Sequence, residues 1–305
     1  HILRHSESKV LFVSSKQFEK VAEFSSEGLS TKVLLDDFSI IPDETKTDKL
    51  KTVVAERLKE FQKIKFAALK MVGLANDEIK EDDLALILYT SGTTGHSKGV
   101  MLTHKNIVYD AQATMKLVNM NEHDKLLSIL PLYHTYEATL GLVTPILSGS
   151  SVYYMKKPPT AAALLPALKI VQPTVMLSVP LVIEKVFRNK VLGEINKKAI
   201  TRKLYKFSPL RKKMNVVAGN KLKETFGGNL RLFCIGGSAL AGDVEKFLQE
   251  AKFPYSMGYG LTETSPLVTG TDNFNVRFGS SGVTLDGMEI KIETPDRETG
   301  EGEVL

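Results

Sequence analysis

Residues Leu84 to His104 constrain this chain more than any other stretch: Leu-Ala-Leu-Ile-Leu-Tyr-Thr-Ser-Gly-Thr-Thr-Gly-His-Ser-Lys-Gly-Val-Met-Leu-Thr-His. The apolar run 84–88 reads as a buried strand and 100–102 as a return strand. Between them lie hydroxyl side chains, Thr90, Ser91, Thr93 and Thr94 among them, three glycines (Gly92, Gly95, Gly99) and Lys98. A tight hairpin needs about two turn residues, and this connection is far longer. Glycines let backbone N–H groups turn toward an anion. Hydroxyls donate to phosphate oxygens, and Lys98 adds a point charge. Hydrogen bonds to a charged partner contribute about 1.5–3 kcal/mol each, so several together hold a polyphosphate. The alternative is a ligand-free hairpin, whose glycines would cost about 2–3 kcal/mol of a total stability of about 5–15 kcal/mol. The pattern is not the Walker A loop, because Gly99 follows Lys98 and a strand comes next.

Three more stretches carry chemistry. Gly258-Tyr259-Gly260-Leu261-Thr262-Glu263 follows a short apolar run. On its own a Gly-Tyr-Gly turn is common, and Thr-Glu also caps helices. Gly236-Gly237-Ser238 ends a strand and precedes a helix. That is either a plain βα turn or a place where the backbone approaches a flat ring, at the carboxyl end of a parallel strand. Pro131-Leu-Tyr-His-Thr-Tyr136 places His134 after another strand, where a lone histidine is more often structural than catalytic.

Together, in this order, the four stretches resemble the adenylate-forming superfamily, and the run from Phe278 to Ile292 is similar to the segment leading into the β subdomain of bacterial long-chain fatty-acid–CoA ligases. Ser97 departs from that pattern, which most often has proline. The resemblance implies an AMP-forming acid–thiol ligase using ATP, Mg²⁺, CoA and a fatty acid. It implies that Thr90, Ser91, Gly92, Thr93, Thr94, Gly95 and Lys98 cradle phosphates. It also implies that Gly236, Gly237 and Ser238 line the adenine, and that Gly258, Tyr259 and Gly260 flank it. Thr262 then contacts the α-phosphate, Thr90 and Glu263 bind Mg²⁺, and His134 borders the reacting carboxyl, giving a catalytic set of Glu263, Thr262, His134 and Lys98. Tyr133 and Tyr136 wall an acyl tunnel, and His104 caps the helix after the loop. Two alternatives stay open: loading of a carrier protein or an amino acid, and a non-catalytic nucleotide-binding or membrane-docking module.

The expected fold is α/β, with mixed, largely parallel sheets flanked by helices; the resemblance implies a five-layered αβαβα core. Strands are expected at 9–13, 31–35, 125–130, 151–154, 174–177, 230–235 and 255–257. Helices are expected at 16–24, 49–72, 105–118, 137–147 and 160–170, with 181–224 largely helical. Val244, Phe247, Leu248 and Ala251 mark one more helical face. Residues 1–281 are expected to form part of a large N-terminal AMP-binding domain, and 282–305 the start of a β-rich subdomain. The chain reads as cut at both ends, with a C-terminal catalytic domain outside it and the full reaction beyond the fragment alone.

Composition narrows the class. No apolar run approaches the roughly 20 residues of a membrane span. The single Cys234 permits no internal disulfide, which fits a cytoplasmic protein. The net charge of +5 is concentrated in the basic 185–213 region. That region reads as a solvated helical face or a peripheral membrane contact. Its aromatics are too few for a nucleic-acid stacking surface.

Overall fold

The computed structural model describes residues 2–26, 28–41, 79–91, 97–272 and 275–305. Its chain divides into two compact units, His1–Lys80 with Ser91–Gly99, and Glu81–Thr90 with Val100–Leu305. The expected helix 49–72 lies outside the described residues.

In the first unit, β1 (Val10–Val13) pairs in parallel with β2 (Thr31–Leu34), and β2 pairs antiparallel with β3 (Ile40–Ile41). The helix expected over 16–24 is only the turn Ser15–Phe18. Beyond it the chain continues in i→i+3 turns, Lys20 N–H to Gln17 O and Val21 N–H to Phe18 O. Lys32 Nζ, from β2, donates to the Ala22 carbonyl at 2.7 Å, so that carbonyl is held by a side chain instead of a helical N–H.

The strand before the phosphate-loop candidate runs further than its apolar core. β4 (Leu84–Ser91) pairs with β5 (Ser97–Thr103), so Thr90, Ser91 and Lys98 sit on strand ends. The next helix is His104–Leu117, and its cap is Thr103 rather than His104. Thr103 Oγ1 accepts from the Asn106 N–H at 3.2 Å, while Asn106 Oδ1 accepts from the Thr103 N–H at 3.0 Å. This reciprocal pair satisfies two otherwise open donors, a task for a short hydroxyl and not an imidazole.

The second unit is built on a seven-stranded sheet. Its strands are β6 (Lys125–Ser128), β7 (Ser151–Tyr154), β8 (Val175–Ser178), β9 (Leu232–Ile235), β10 (Tyr255–Gly260), β11 (Leu267–Gly270) and β12 (Val283–Thr284), in the order β12-β11-β10-β9-β8-β6-β7. The pairs from β10 across to β7 are parallel, and β11 and β12 close one edge antiparallel. β11 escapes the sequence reading because its four residues stand directly behind Ser265-Pro266 and read as a continuation of a turn. A further antiparallel pair joins β13 (Ile292–Glu293) to β14 (Glu303–Val304).

Both sheet faces are buried, as parallel sheets require. Met176, Phe233 and Ile235 point to one side, into a core with Phe187, Leu222, Val244 and Phe247 from the helices. Val175 and Leu232 point to the other, against Met115, Met120 and Leu126. Period-2 alternation along β8 and β9 thus sets both layers. The segment expected as a helix over 137–147 begins as a wider π-helical stretch, Tyr136–Val143, before the α-helix Thr144–Ser148. Such widened turns recur at functional sites.

The amino ends of β6, β8 and β9 are tied by a polar knot. Asp124, 3% exposed, accepts from Arg231 Nε at 2.7 Å and Thr174 Oγ1 at 2.7 Å. Arg231 also donates to the Val118 and Asn119 carbonyls. Burial alone would raise the Asp124 pKa, but the Arg231 and Thr174 hydrogen bonds outweigh it and hold the carboxyl below its usual range. Asp124→Ala leaves the half-buried Arg231 guanidinium without its carboxylate, so we expect a loss of about 2–3 kcal/mol in urea unfolding. A loss below about 1 kcal/mol would make the pair a surface ornament.

Candidate active site

A cleft of about 540 Å³ opens at the carboxyl ends of the parallel strands in the second unit. Along the sheet, the chain steps from β6 outward to β7 on one side and from β8 through β9 to β10 on the other. Connections leaving β6 and β8 therefore diverge, and crevices at such switch points are where open α/β sheets bind ligands. Pro131 and His134 follow β6, Val179 follows β8, Gly236 and Gly237 follow β9, and Gly258 to Thr262 finish β10; all line the cleft.

Local geometry explains the glycines. Gly237 has φ +90°, a conformation open to glycine and strained for other residues. At Gly260 the register of β10 against β11 shifts by a bulge. A Cβ there would stand 1.7 Å from the Pro266 carbonyl oxygen. That oxygen accepts from the Leu261 N–H at 3.0 Å and from Thr264 Oγ1 at 2.6 Å, which fixes the bend carrying Thr262 and Glu263.

Of the residues singled out from sequence, His134, Gly236, Gly237, Gly258, Tyr259, Gly260 and Thr262 meet in this one cleft. Ser238 and Glu263 are exposed neighbours of the lining residues. Glu263 lies on the short turn Thr262–Thr264. Thr90 ends the second unit's part of β4, and Ser91 and Lys98 belong to the first unit. Gly92, Thr93, Thr94 and Gly95 lie outside the described residues. Val179, Pro266 and Leu267 also line the cleft and were not singled out; Val179 was findable as the first residue past an apolar strand.

Beneath the cleft is a smaller apolar cavity of about 40 Å³, bordered by Leu140, Leu177, Cys234 and Met257. Tyr136, Gly258 and Leu267 line both spaces, whereas Tyr133 lines neither and is 72% exposed. Tyr136 donates its hydroxyl to the Cys234 carbonyl at 3.1 Å. Burial pushes the Cys234 thiol up to about 12, so it is a packing residue and not a nucleophile.

Two buried carboxyls adjoin lining residues, Asp110 at Leu267 and Glu137 next to Tyr136, and neither was legible as such. Asp110 accepts from the Leu267 N–H at 2.7 Å and holds β11 to the helix His104–Leu117. Glu137 accepts from Ser128 Oγ, and its other oxygen has no hydrogen-bond partner among the described residues. Burial pushes each up to about 7. Between the ordinary carboxyl range and about pH 7 the folded state keeps these protons while the unfolded chain has lost them. Stability is therefore fullest below the unfolded pKa and falls as pH rises through about 7. For Glu137 the span from 4.5 to about 7 corresponds to about 3 kcal/mol. Urea midpoints measured from about pH 5 to about pH 8 should decline in the native sequence and decline less in Glu137→Gln. Parallel profiles would refute the assignment.

The whole chain, residues 1–305, matches the family model described as AMP-binding enzyme. Long chain acyl-CoA synthetase 6, peroxisomal, of Arabidopsis thaliana is 30% identical over 226 residues, covering 70% of this chain and 32% of the relative. Long-chain-fatty-acid–CoA ligase 1 of Homo sapiens is 33% identical over 200 residues, 60% of this chain and 28% of the relative. The chain thus spans about a third of the length of the curated relatives it matches. Among solved structures, ATP-bound MatB from Rhodopseudomonas palustris is similar with a TM-score of 0.66 at 22% identity, over 99% of this chain and 49% of that one. MenE from Bacillus subtilis, in complex with ATP and magnesium ion, gives 0.64 at 20%, over 99% and 51%. Both likenesses concern the fold.

Proposed function

The chain belongs to the AMP-binding enzyme family, and on that premise we propose that the protein activates a fatty acid as an acyl-adenylate and passes the acyl group to CoA. The observation that carries this reading is the meeting of Gly236, Gly237 and Gly258 to Thr262 in one cleft at the sheet's switch point. Glycine edges admit a flat purine, and Tyr259 supplies an aromatic flank. Thr262 donates to the α-phosphate. The fatty carboxylate attacks the α-phosphorus, the bond to pyrophosphate breaks, and an acyl-adenylate forms. His134 borders the reacting carboxyl. The CoA thiol then attacks the acyl carbonyl and AMP leaves.

Negative charge spreads over the phosphoryl oxygens in this displacement, so positioning and fixed positive charge do most of the catalysis. Thr90, Ser91 and Lys98, with the glycines and threonines between them, serve the β- and γ-phosphates. Glu263 and Thr90 would hold Mg²⁺, which would supply neutralisation of phosphate charge. The donor set suits that ion: Glu263 offers an exposed carboxylate on the turn Thr262–Thr264 and Thr90 a hydroxyl, both hard oxygen donors. One carboxylate sharing a cation with phosphate and water is how Mg²⁺ is usually held.

The apolar cavity behind Tyr136 receives the start of the acyl chain. Its volume fits about three water-sized groups, so a long chain requires Tyr136 or Leu140 to move. Each buried CH₂ contributes about 0.8 kcal/mol, and affinity should rise with chain length. ATP–pyrophosphate exchange by the complete protein tests the reading. We expect exchange that depends on a medium- or long-chain acid, and thioester product with CoA. Failure to exchange with any medium- or long-chain acid would end the proposal; exchange with product on a carrier protein alone would replace the acceptor.

A further inference from the structure

The helical segment after β8 carries a surface that adenylation does not use. Residues 185–225 hold thirteen lysines and arginines against Glu194 and Glu224, so the rest of the chain is net acidic. Only three of the thirteen are neutralised: Arg188 by Asp243, Lys197 by Glu194 and Arg211 by Glu250. The others have no carboxylate within 4.0 Å among the described residues. On the helix Ala199–Tyr205, Ile200 is 71% exposed, and Leu204, one turn on, is exposed on the same face. Phe207, just beyond, and Val217 on the helix Ser208–Thr225 are exposed as well. Beside them a groove of about 770 Å³ runs between helices, lined by Val191, Ile195, Val217 and Leu222, with Lys190, Lys213 and Lys221 among its walls.

We infer that this face docks on an anionic lipid bilayer. Apolar side chains alternating with unpaired cations on short helices are the pattern of interfacial binding, in which the apolar groups enter the headgroup layer and lysines meet lipid phosphate. An acidic protein would satisfy the charge but leave Ile200, Leu204 and Phe207 needing a complementary apolar patch. A nucleic acid would satisfy the charge and leave them wet. No helix among the described residues is long and apolar enough to cross a membrane. The surface stands apart from the nucleotide cleft, and the inference holds or fails independently of the acyl chemistry.

Vesicle flotation tests it, using phosphatidylcholine alone and phosphatidylcholine with about 30% phosphatidylglycerol. Binding should be confined to the anionic vesicles and fall at least about tenfold between about 0.1 M and about 0.5 M salt. Lys203→Glu with Lys206→Glu and Lys213→Glu should lose binding by at least about tenfold while keeping the native thermal midpoint. The chain has no tryptophan, so Phe207→Trp gives a single reporter whose emission should shift to the blue on anionic vesicles. Equal binding to neutral and anionic vesicles, an unaffected triple variant, or a reporter that stays in water would each overturn the proposal. So would capture of an acidic protein without any vesicle binding.

Discussion

Glu263→Gln lowers ATP–pyrophosphate exchange by about a hundredfold or more and leaves the unfolding midpoint unchanged. The substitution keeps the side chain's shape and removes its charge. Glu263 is exposed, on a turn of three residues, and its side chain makes no hydrogen bond or ion pair among the described residues. The fold therefore has nothing to lose. The reaction does, because a single carboxylate with Thr90 forms the protein's share of the proposed Mg²⁺ site. Raising Mg²⁺ should recover part of the rate. A variant that exchanges at the native rate would remove Glu263 from the chemistry, and one that unfolds early would make it structural.

Gly260→Ala is expected to cost about 3–5 kcal/mol and to abolish nucleotide binding at ordinary concentrations. The clash is with backbone, not with a side chain that could swing away: the added Cβ would stand 1.7 Å from Pro266 O and 2.6 Å from Pro266 C. Relief requires β10 and β11 to part at their bulge, which drags Tyr259 and Thr262 from the cleft wall. Gly258→Ala provides the comparison, since its Cβ would meet the end of the Leu267 side chain at 2.8 Å, a group with some freedom to shift. Equal stability of Gly260→Ala and the native protein would mean the bend is not fixed as described.

What the sequence disclosed was the material at strand ends. Gly236-Gly237 after an apolar run, and Gly258 to Thr262 after another, betray their places because turns need residues that strands do not. The buried polar groups were invisible for the converse reason. Asp110 sits on a helix whose apolar spacing is ordinary, and its partner, the Leu267 N–H, is 157 residues away. Glu137 reads as one more solvated acid in Tyr136 to Val143, yet it is 1% exposed. Periodicity counts apolar positions and cannot name a long-range polar partner. The widening of that same segment into a π-helix has no residue signature at all. Helix length was misjudged at 16–24, where the Ala22 carbonyl is taken by Lys32 of the neighbouring strand, a long-range partner that periodicity does not show. Thr103 could have been chosen over His104 from its spacing to Asn106 alone.

The central claim is that an adenine nucleotide occupies the cleft between the Gly236–Gly237 corner and the Tyr259–Thr262 bend. Photolabelling the full-length protein with an azido-adenine nucleotide, followed by tryptic mapping, addresses it directly. The label should fall on the peptide from Phe253 to Arg277, or on the one carrying Gly236 and Gly237, and unlabelled ATP should compete it away. Label confined to other peptides, or labelling that ATP leaves untouched, would contradict the account.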